Sequence, residues 1–278
     1  KIANIAAEND IDLTGIEIIN LRHDREEKRR LEFARTLTEK RSREGMTFEE
    51  AYEKMYERNY FGMMMVELGQ ADALITGVYT KYADSVQAAK DVIGIREGTK
   101  HIAAMHIMHT QKGTFFLADT LFNRRPDTAA LLDIAKLTHD TVKFFAHEPV
   151  MAMLSYSNFG SDKSGSPASV HEVVETLHCK YPEMIVDGEM QVTFAMNKEL
   201  RDKKFPFSKL AGKDVNTLIF PNLSSANTAY KMLIEMGLAD TIGPIQMGLN
   251  KPVHILDVER SVRDIVNMTA VAVLDAIV

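Results

Sequence analysis

Three stretches of this sequence gather side chains suited to chemistry. The first is Ser155-Tyr156-Ser157-Asn158-Phe159-Gly160-Ser161, directly after the apolar run 150–154. Its hydroxyls, and the backbone N–H groups that small residues leave accessible, suit phosphate oxygens. No Gly-Lys-Ser/Thr unit closes a helix start, so this is not a Walker loop, and as a bare pattern it is a weak signal. The second is Asp187-Gly188-Glu189-Met190-Gln191, read as an acidic turn after a short strand at 185–186. Two carboxylates two residues apart suit acid–base work or a divalent ion, and equally a turn that shapes a cleft. The third follows the apolar run 215–220, where Pro221-Asn222 opens a small, polar segment with Ser224, Ser225 and Asn227.

The histidines invite a metal reading and their spacing argues against it. His101, His106 and His109 lie in a strand-like run, and His106 and His109 are an odd number apart, which puts them on opposite faces. No metal site is expected. His178-Cys179 has no metal-ligand spacing and reads as structural.

These groups need elements to carry them. The run 215–220 reads as a buried parallel strand, and Tyr230, Leu233, Ile234 and Leu238 then recur at helical spacing. Strand, polar turn, helix places a strand's carboxyl end and a helix's first turn at one crevice. Upstream, a short helical piece precedes a strand at 16–21. The charge-dense segment 24–44 reads as a solvated helix with Leu31, Phe33, Ala34 and Leu37 on its apolar side. Gly45 ends it, and Thr47 with Glu50 forms a capping box for the next helix. Asn59-Tyr60-Phe61-Gly62 leads into a methionine-rich helix, 73–77 is a strand, and 78–84 is the loop at its carboxyl end. Lys112-Gly113 turns a hairpin between 101–110 and 114–119. A long helix covers 128–146, a strand 150–154 and a helix 168–180. The segment 198–206 reads as a charged surface loop, and Ser261 caps a final helix, 262–277.

Composition narrows the classes. The 278 residues suffice for one large domain or two moderate ones; 45% are hydrophobic and 26% charged. A net charge of −6 provides no basic field, which excludes nucleic-acid binding as a main role. No run of 18 apolar residues suggests a membrane span. The single cysteine, Cys179, fits a reducing cytoplasm. A start at Lys1 is read as that of a piece of a longer polypeptide.

The segments IFPNLSSANTAYKML, IGPIQMGLNKPV and SVRDIVNMTAVAVLDA closely resemble the C-terminal part of the phosphotransacetylase family. Asn-Tyr-Phe-Gly at 59–62, Leu-Gly-x-Ala-Asp at 68–72, Phe116-Leu117-Ala118-Asp119 and Asp187-Gly188 also resemble the family's pattern. In particular the chain resembles the phosphotransacetylase-type domain at the C-terminus of large bacterial malic enzymes. The resemblance implies a two-lobed, three-layer α/β/α fold with mixed, mainly parallel sheets, of the isocitrate/isopropylmalate dehydrogenase-like type. Its lobes would be 1–123 plus about 256–278, and 124–255. It implies acyl-CoA binding by Ser155, Tyr156, Ser157, Asn158, Gly160, Ser161, Asp187, Gly188, Asn222, Ser224, Ser225 and Asn227.

The resemblance also implies what is missing. Active relatives carry a Ser-Arg pair after Lys-Pro-Val, where this chain has Asp257-Val258, and an arginine facing the phosphate where this chain has Gln87. Lys81 lies at a different offset. Asp264 matches a retained aspartate and reads as structural. The expectation is therefore a regulatory domain without acyltransferase activity, with acetyl-CoA as allosteric effector. NADP and Mg or Mn would belong only to a malic-enzyme catalytic domain of the same chain, and the whole to a cytoplasmic homo-oligomer. The alternatives are an active phosphate acetyltransferase or butyryltransferase, with Arg260 or Arg263 supplying cations, and a purely structural dimerisation module.

Overall fold

A computed structural model describes residues 1–77, 80–256 and 261–277. Helix α1 (Ile2–Glu8) is followed by irregular chain, then α2 (Glu27–Arg41), α3 (Phe48–Lys54) and α4 (Arg58–Glu67). Strand β1 (Leu74–Thr76), helix α5 (Tyr82–Val92) and the hairpin β2 (Ala103–Thr110) and β3 (Gly113–Ala118) come next. Then follow α6 (Thr128–Phe144), β4 (Val150–Leu154), α7 (Gly165–Lys180), β5 (Ile185–Met190), α8 (Val192–Met196) and α9 (Lys198–Lys204). The chain continues through β6 (Thr217–Ile219), α10 (Leu223–Glu235), β7 (Ala239–Met247), β8 (Val253–Ile255) and α11 (Val262–Ile277).

Six strands form one sheet in the order β5-β4-β6-β3-β2-β7. β5, β4, β6 and β3 are mutually parallel, and β2 runs against both β3 and β7. One face is covered by α6, α7 and α11, with Ile134, Val173, Met153, Ile219 and Met268 in the core between them. The other face packs against α8 and α10 through Leu117, Leu218, Ala195 and Tyr230. β1 and β8 form a separate parallel pair, and α2 to α5 bury Phe33, Leu37, Met63, Met64 and Ala89 around it. The Gln246 carboxamide bridges the two sheets: it donates to Ile255 O and accepts from Ile255 N, each at 3.0 Å. β2 and β3, expected with the first lobe, hydrogen-bond into the six-stranded sheet.

Local signals act where the sequence places them. Thr47 and Glu50 form the reciprocal capping box, and Gly45 takes φ +89° behind the preceding helical turn. Five expectations change. The 16–21 segment is irregular rather than a strand. Asn59 to Gly62 lie inside α4 rather than before it. There the Asn59 carboxamide is held by Thr76, Thr80 and Ser85, a buried polar network that favours this register. The supposed turn at 187–190 is the second half of β5, extended because β4 pairs with it from Ile185 to Gly188 and again at Met190, the register shifting at Glu189. The supposed surface loop at 198–206 contains α9, capped by Asn197, whose Arg201 is fully buried. Its guanidinium donates to Ala195 O, Leu210 O and Lys213 O, which offsets the cost of burying the charge. Of the expected loop 78–84, residues from Tyr82 onward are already helical, and 78–79 lie outside the described residues.

Candidate functional site

Because β3, β4, β5 and β6 are parallel, their carboxyl ends open on one edge, where ligands of open α/β sheets bind. The 155–161 loop leaves β4 at this edge and is organised by one side chain, Glu189 at the end of β5. Glu189 is fully buried. Its Oε1 accepts from Ser157 Oγ at 3.0 Å and from Gly160 N at 2.6 Å. Oε2 has no hydrogen-bond donor and lies 3.5 Å from His171 Nδ1. Ser157 and Ser161 share a hydroxyl contact of 2.8 Å, and Asn158 Oδ1 accepts from Gln191 N. The hydroxyls expected to face a phosphate are thus engaged inside the loop. Tyr156 is exposed and donates to Asp162 at 2.8 Å.

Asp187 and Gly188 serve the scaffold around this loop. Asp187 is buried and accepts from Ser208 Oγ at 2.7 Å and Lys209 N at 2.8 Å, which ties down the chain after α9. Gly188 has φ +146°, and a Cβ there would meet Met153 O at 2.5 Å, so only glycine lets β5 lie against β4. Asn222 is the N-cap of α10: Ser225 N donates to its Oδ1 at 3.0 Å, and Ser225 Oγ donates to its carbonyl. Ser224 is exposed and Asn227 half-buried, and neither side chain has a hydrogen bond among the described residues.

Four buried residues outside the expected set pack the elements near this edge: Glu189, Asp119, His106 and Tyr230. The Asp119 carboxylate accepts from the backbone N–H groups of Ala104, Leu121, Phe122 and Asn123, which fixes the loop after β3. Phe122 in that loop lies against Tyr82 at the start of α5, with ring centroids 5.7 Å apart, so the loop bridges the two sheets' layers. His106 stacks on Tyr230 of α10 at 4.3 Å and 16°, and its Nδ1 lies 2.8 Å from Thr120 Oγ1. The β2–β7 register shifts beside it, between Met105 and Ile107, and Gly243 makes room for the ring. In the sequence, Asp119 stands at the end of the hairpin's returning strand and His106 on the opposite face from His109. Nothing local pointed to their partners.

The three clustered histidines are dispersed. His101 Nδ1 lies 2.8 Å from Asp133, His109 is exposed beside Thr114, and His106 is buried against Tyr230. Among the described residues no group of three His, Cys, Asp or Glu side chains is placed to hold a metal. Among the same residues no helix is long and apolar enough to cross a membrane.

At the first turn of α11, Ser261 and Asp264 cap each other: Ser261 N and Oγ donate to Asp264 Oδ2, and Asp264 N donates to Ser261 Oγ. Arg263 lies 3.7 Å from Asp240. These groups, with Tyr230, Lys231 and Thr241, line a cavity of about 330 Å³ between α10, β7 and α11. Gln87 is exposed on α5 and donates to Asp91 at 2.6 Å. Asp257 and Val258 lie outside the described residues.

The model of the family described as phosphate acetyl/butaryl transferase matches residues 1–273. The chain belongs to that family. Within it, the chain is 38% identical over 236 residues to the NADP-dependent malic enzyme of Salmonella typhimurium, covering 84% of this chain and 31% of that protein. It therefore spans about a third of the length of the malic enzymes it matches. It is 36% identical over 231 residues to the phosphate acetyltransferase of Bacillus subtilis, covering 83% of this chain and 71% of that protein. A phosphotransacetylase structure from Streptococcus pyogenes superposes with a TM-score of 0.88 at 31% identity, over 99% of this chain and 82% of that one. The fold is thus of the phosphotransacetylase type.

Proposed function

We propose that this chain binds a coenzyme A thioester in the crevice between its two sheets and regulates a malic-enzyme catalytic domain of the same polypeptide. Acetyl-CoA is the effector, and the chain itself transfers no acyl group. The observation that carries this reading is Gln87. Phosphoryl chemistry needs cations at the developing charge; at the position that resemblance assigns to a phosphate-facing arginine, the chain has an exposed neutral amide bonded to Asp91. Asp264, at the start of α11, is engaged with Ser261 in a helix cap rather than held out towards a ligand. A site that keeps its ligand edge but lacks reacting groups transmits binding, through different affinities for two states, rather than turning over.

The regulated reaction would be oxidative decarboxylation of malate to pyruvate with NADP and a divalent metal, carried by the catalytic domain. A homo-oligomer is part of the same proposal. α11 buries Met268 and Val271 against the core but leaves Val262, Val266, Val273 and Leu274 exposed, a row available to a second copy. The second reading, an active phosphate acetyltransferase, is favoured by the 36% identity to the Bacillus subtilis enzyme.

Acetyl-phosphate arsenolysis in the presence of coenzyme A separates the two readings. The proposal expects no turnover above background together with calorimetric binding of acetyl-CoA. Turnover near 1 per second, an ordinary enzymatic rate, would refute it.

A further inference from the structure

We propose that Arg124 and Arg125 anchor the phosphate groups of the coenzyme A thioester at the carboxyl edge; this rests on the acyl-CoA reading above. The two arginines follow Asn123 in the loop between β3 and α6. The loop is fixed on both sides of them. Asp119 gathers the N–H groups up to Asn123, and Asp127 caps α6 through Ala130 N at 2.8 Å. Both guanidinium groups are exposed, and neither has a hydrogen bond or ion pair among the described residues. Elsewhere in the chain buried or half-buried arginines are engaged: Arg30 and Arg201 donate to carbonyls, and Arg29 pairs with Glu26.

The arginines lead from the carboxyl end of β3 into α6, and a chain of contacts ties the start of α6 to the 155–161 loop. Thr128 Oγ1, in the first turn of α6, donates to Glu172 of α7 at 3.2 Å. The neighbouring His171 lies 3.5 Å from Glu189, and Glu189 holds Ser157 and Gly160. Glu189 has taken two of that loop's donors, the Ser157 hydroxyl and the Gly160 N–H. A polyanion arriving at this edge must find its positive charge elsewhere, and Arg124 and Arg125 are adjacent, unpaired and on a pinned backbone. A guanidinium grips phosphate oxygens through two parallel N–H bonds, and a pre-ordered loop reduces the entropy lost on binding.

Calorimetric titration of the intact protein tests this, with acetyl-CoA, its dephospho form lacking the 3′-phosphate, and S-acetyl pantetheine lacking all phosphates. The variant is Arg124→Gln/Arg125→Gln. It should lose roughly ten- to a hundredfold in acetyl-CoA affinity, the size of lost charge-assisted bonds, with no change for acetyl pantetheine and no change in melting temperature. The Lys/Lys variant should recover part of the loss. A loss absent with the dephospho ligand assigns the pair to the 3′-phosphate, and a loss shared with it assigns the pair to the pyrophosphate. Acetyl-CoA affinity within twofold of wild type in the Gln/Gln variant, or an equal loss for acetyl pantetheine, overturns the inference and leaves the acyl-CoA reading standing. Wild-type protein giving no heat with millimolar acetyl-CoA overturns both.

Discussion

Replacing Glu189 by Gln tests whether one buried carboxylate sets the shape of the 155–161 loop. Its Oε1 receives Ser157 Oγ and Gly160 N, while Oε2 faces His171 at 3.5 Å with no hydrogen bond. Glutamine keeps one oxygen, so both bonds can persist, but they lose charge assistance. Bonds to a charged group contribute about 1.5–3 kcal/mol and neutral ones about 0.5–1.5 kcal/mol, so the change should cost about 2 kcal/mol in total. Glu189→Ala removes both acceptors and should cost about 3–5 kcal/mol, as breaking a buried charged network does. Denaturant unfolding reads the global cost. Hydrogen exchange at Gly160 and Asp162 reads the loop, because Gly160 N is bonded to Glu189 and Asp162 N to Ser157 Oγ. Acetyl-CoA affinity should fall alongside loop protection. If Glu189→Gln leaves the Gly160 amide as protected as before and stability within 0.5 kcal/mol or so, the carboxylate does not hold the loop and the reasoning fails.

Two further outcomes follow from buried charge. Arg201→Met strips the carbonyls of Ala195, Leu210 and Lys213 of their donor and should cost about 3 kcal/mol or more. Limited proteolysis should then cut first within 205–213, and Arg201→Lys should rescue little, since an ammonium does not span three carbonyls; wild-type resistance in the Met variant would contradict this. His254 on β8 is buried, and that burial pushes its imidazole down to about 4 from an ordinary 6.5. The unfolded chain therefore takes up a proton between these values that the fold refuses. Stability is complete above pH 6.5 and falls as pH drops towards 4, by on the order of 3 kcal/mol at 1.36 kcal/mol per unit. Asp275, 3.8 Å from His254 Nε2, has its carboxyl raised by burial and titrates in the opposite sense at the acid end. Comparing urea midpoints of wild type and His254→Gln across pH 4–7 isolates the histidine; an unchanged slope in the variant would discount it.

The sequence alone was enough for everything that depends on neighbours three or four residues apart. The Thr47–Glu50 box, the Ser261 cap and the Gly45 stop all form as their spacing requires, because each is a local backbone bond waiting for a side chain within reach. The apolar runs at 150–154 and 215–220 supplied two central strands, because burial on both faces leaves no polar alternation to misread. Motifs across the chain were specific enough to indicate the family.

Tertiary structure decided which side chains meet. Glu189, read as part of a turn, became the organiser of a loop whose Ser157 is 32 residues away, because β4 and β5 happen to be neighbours in the sheet. Asp187 turned inward for the same reason, towards a segment after α9 that no local pattern could link to it. Arg201, charged and inside a charged run, was read as surface. It is buried because three carbonyl groups from separate turns converge where its guanidinium reaches. His106 found Tyr230 only once α10 packed across the face of β2 and β3. Residue type fixes what a group needs when water is removed; only the packing of distant strands and helices determines what supplies it.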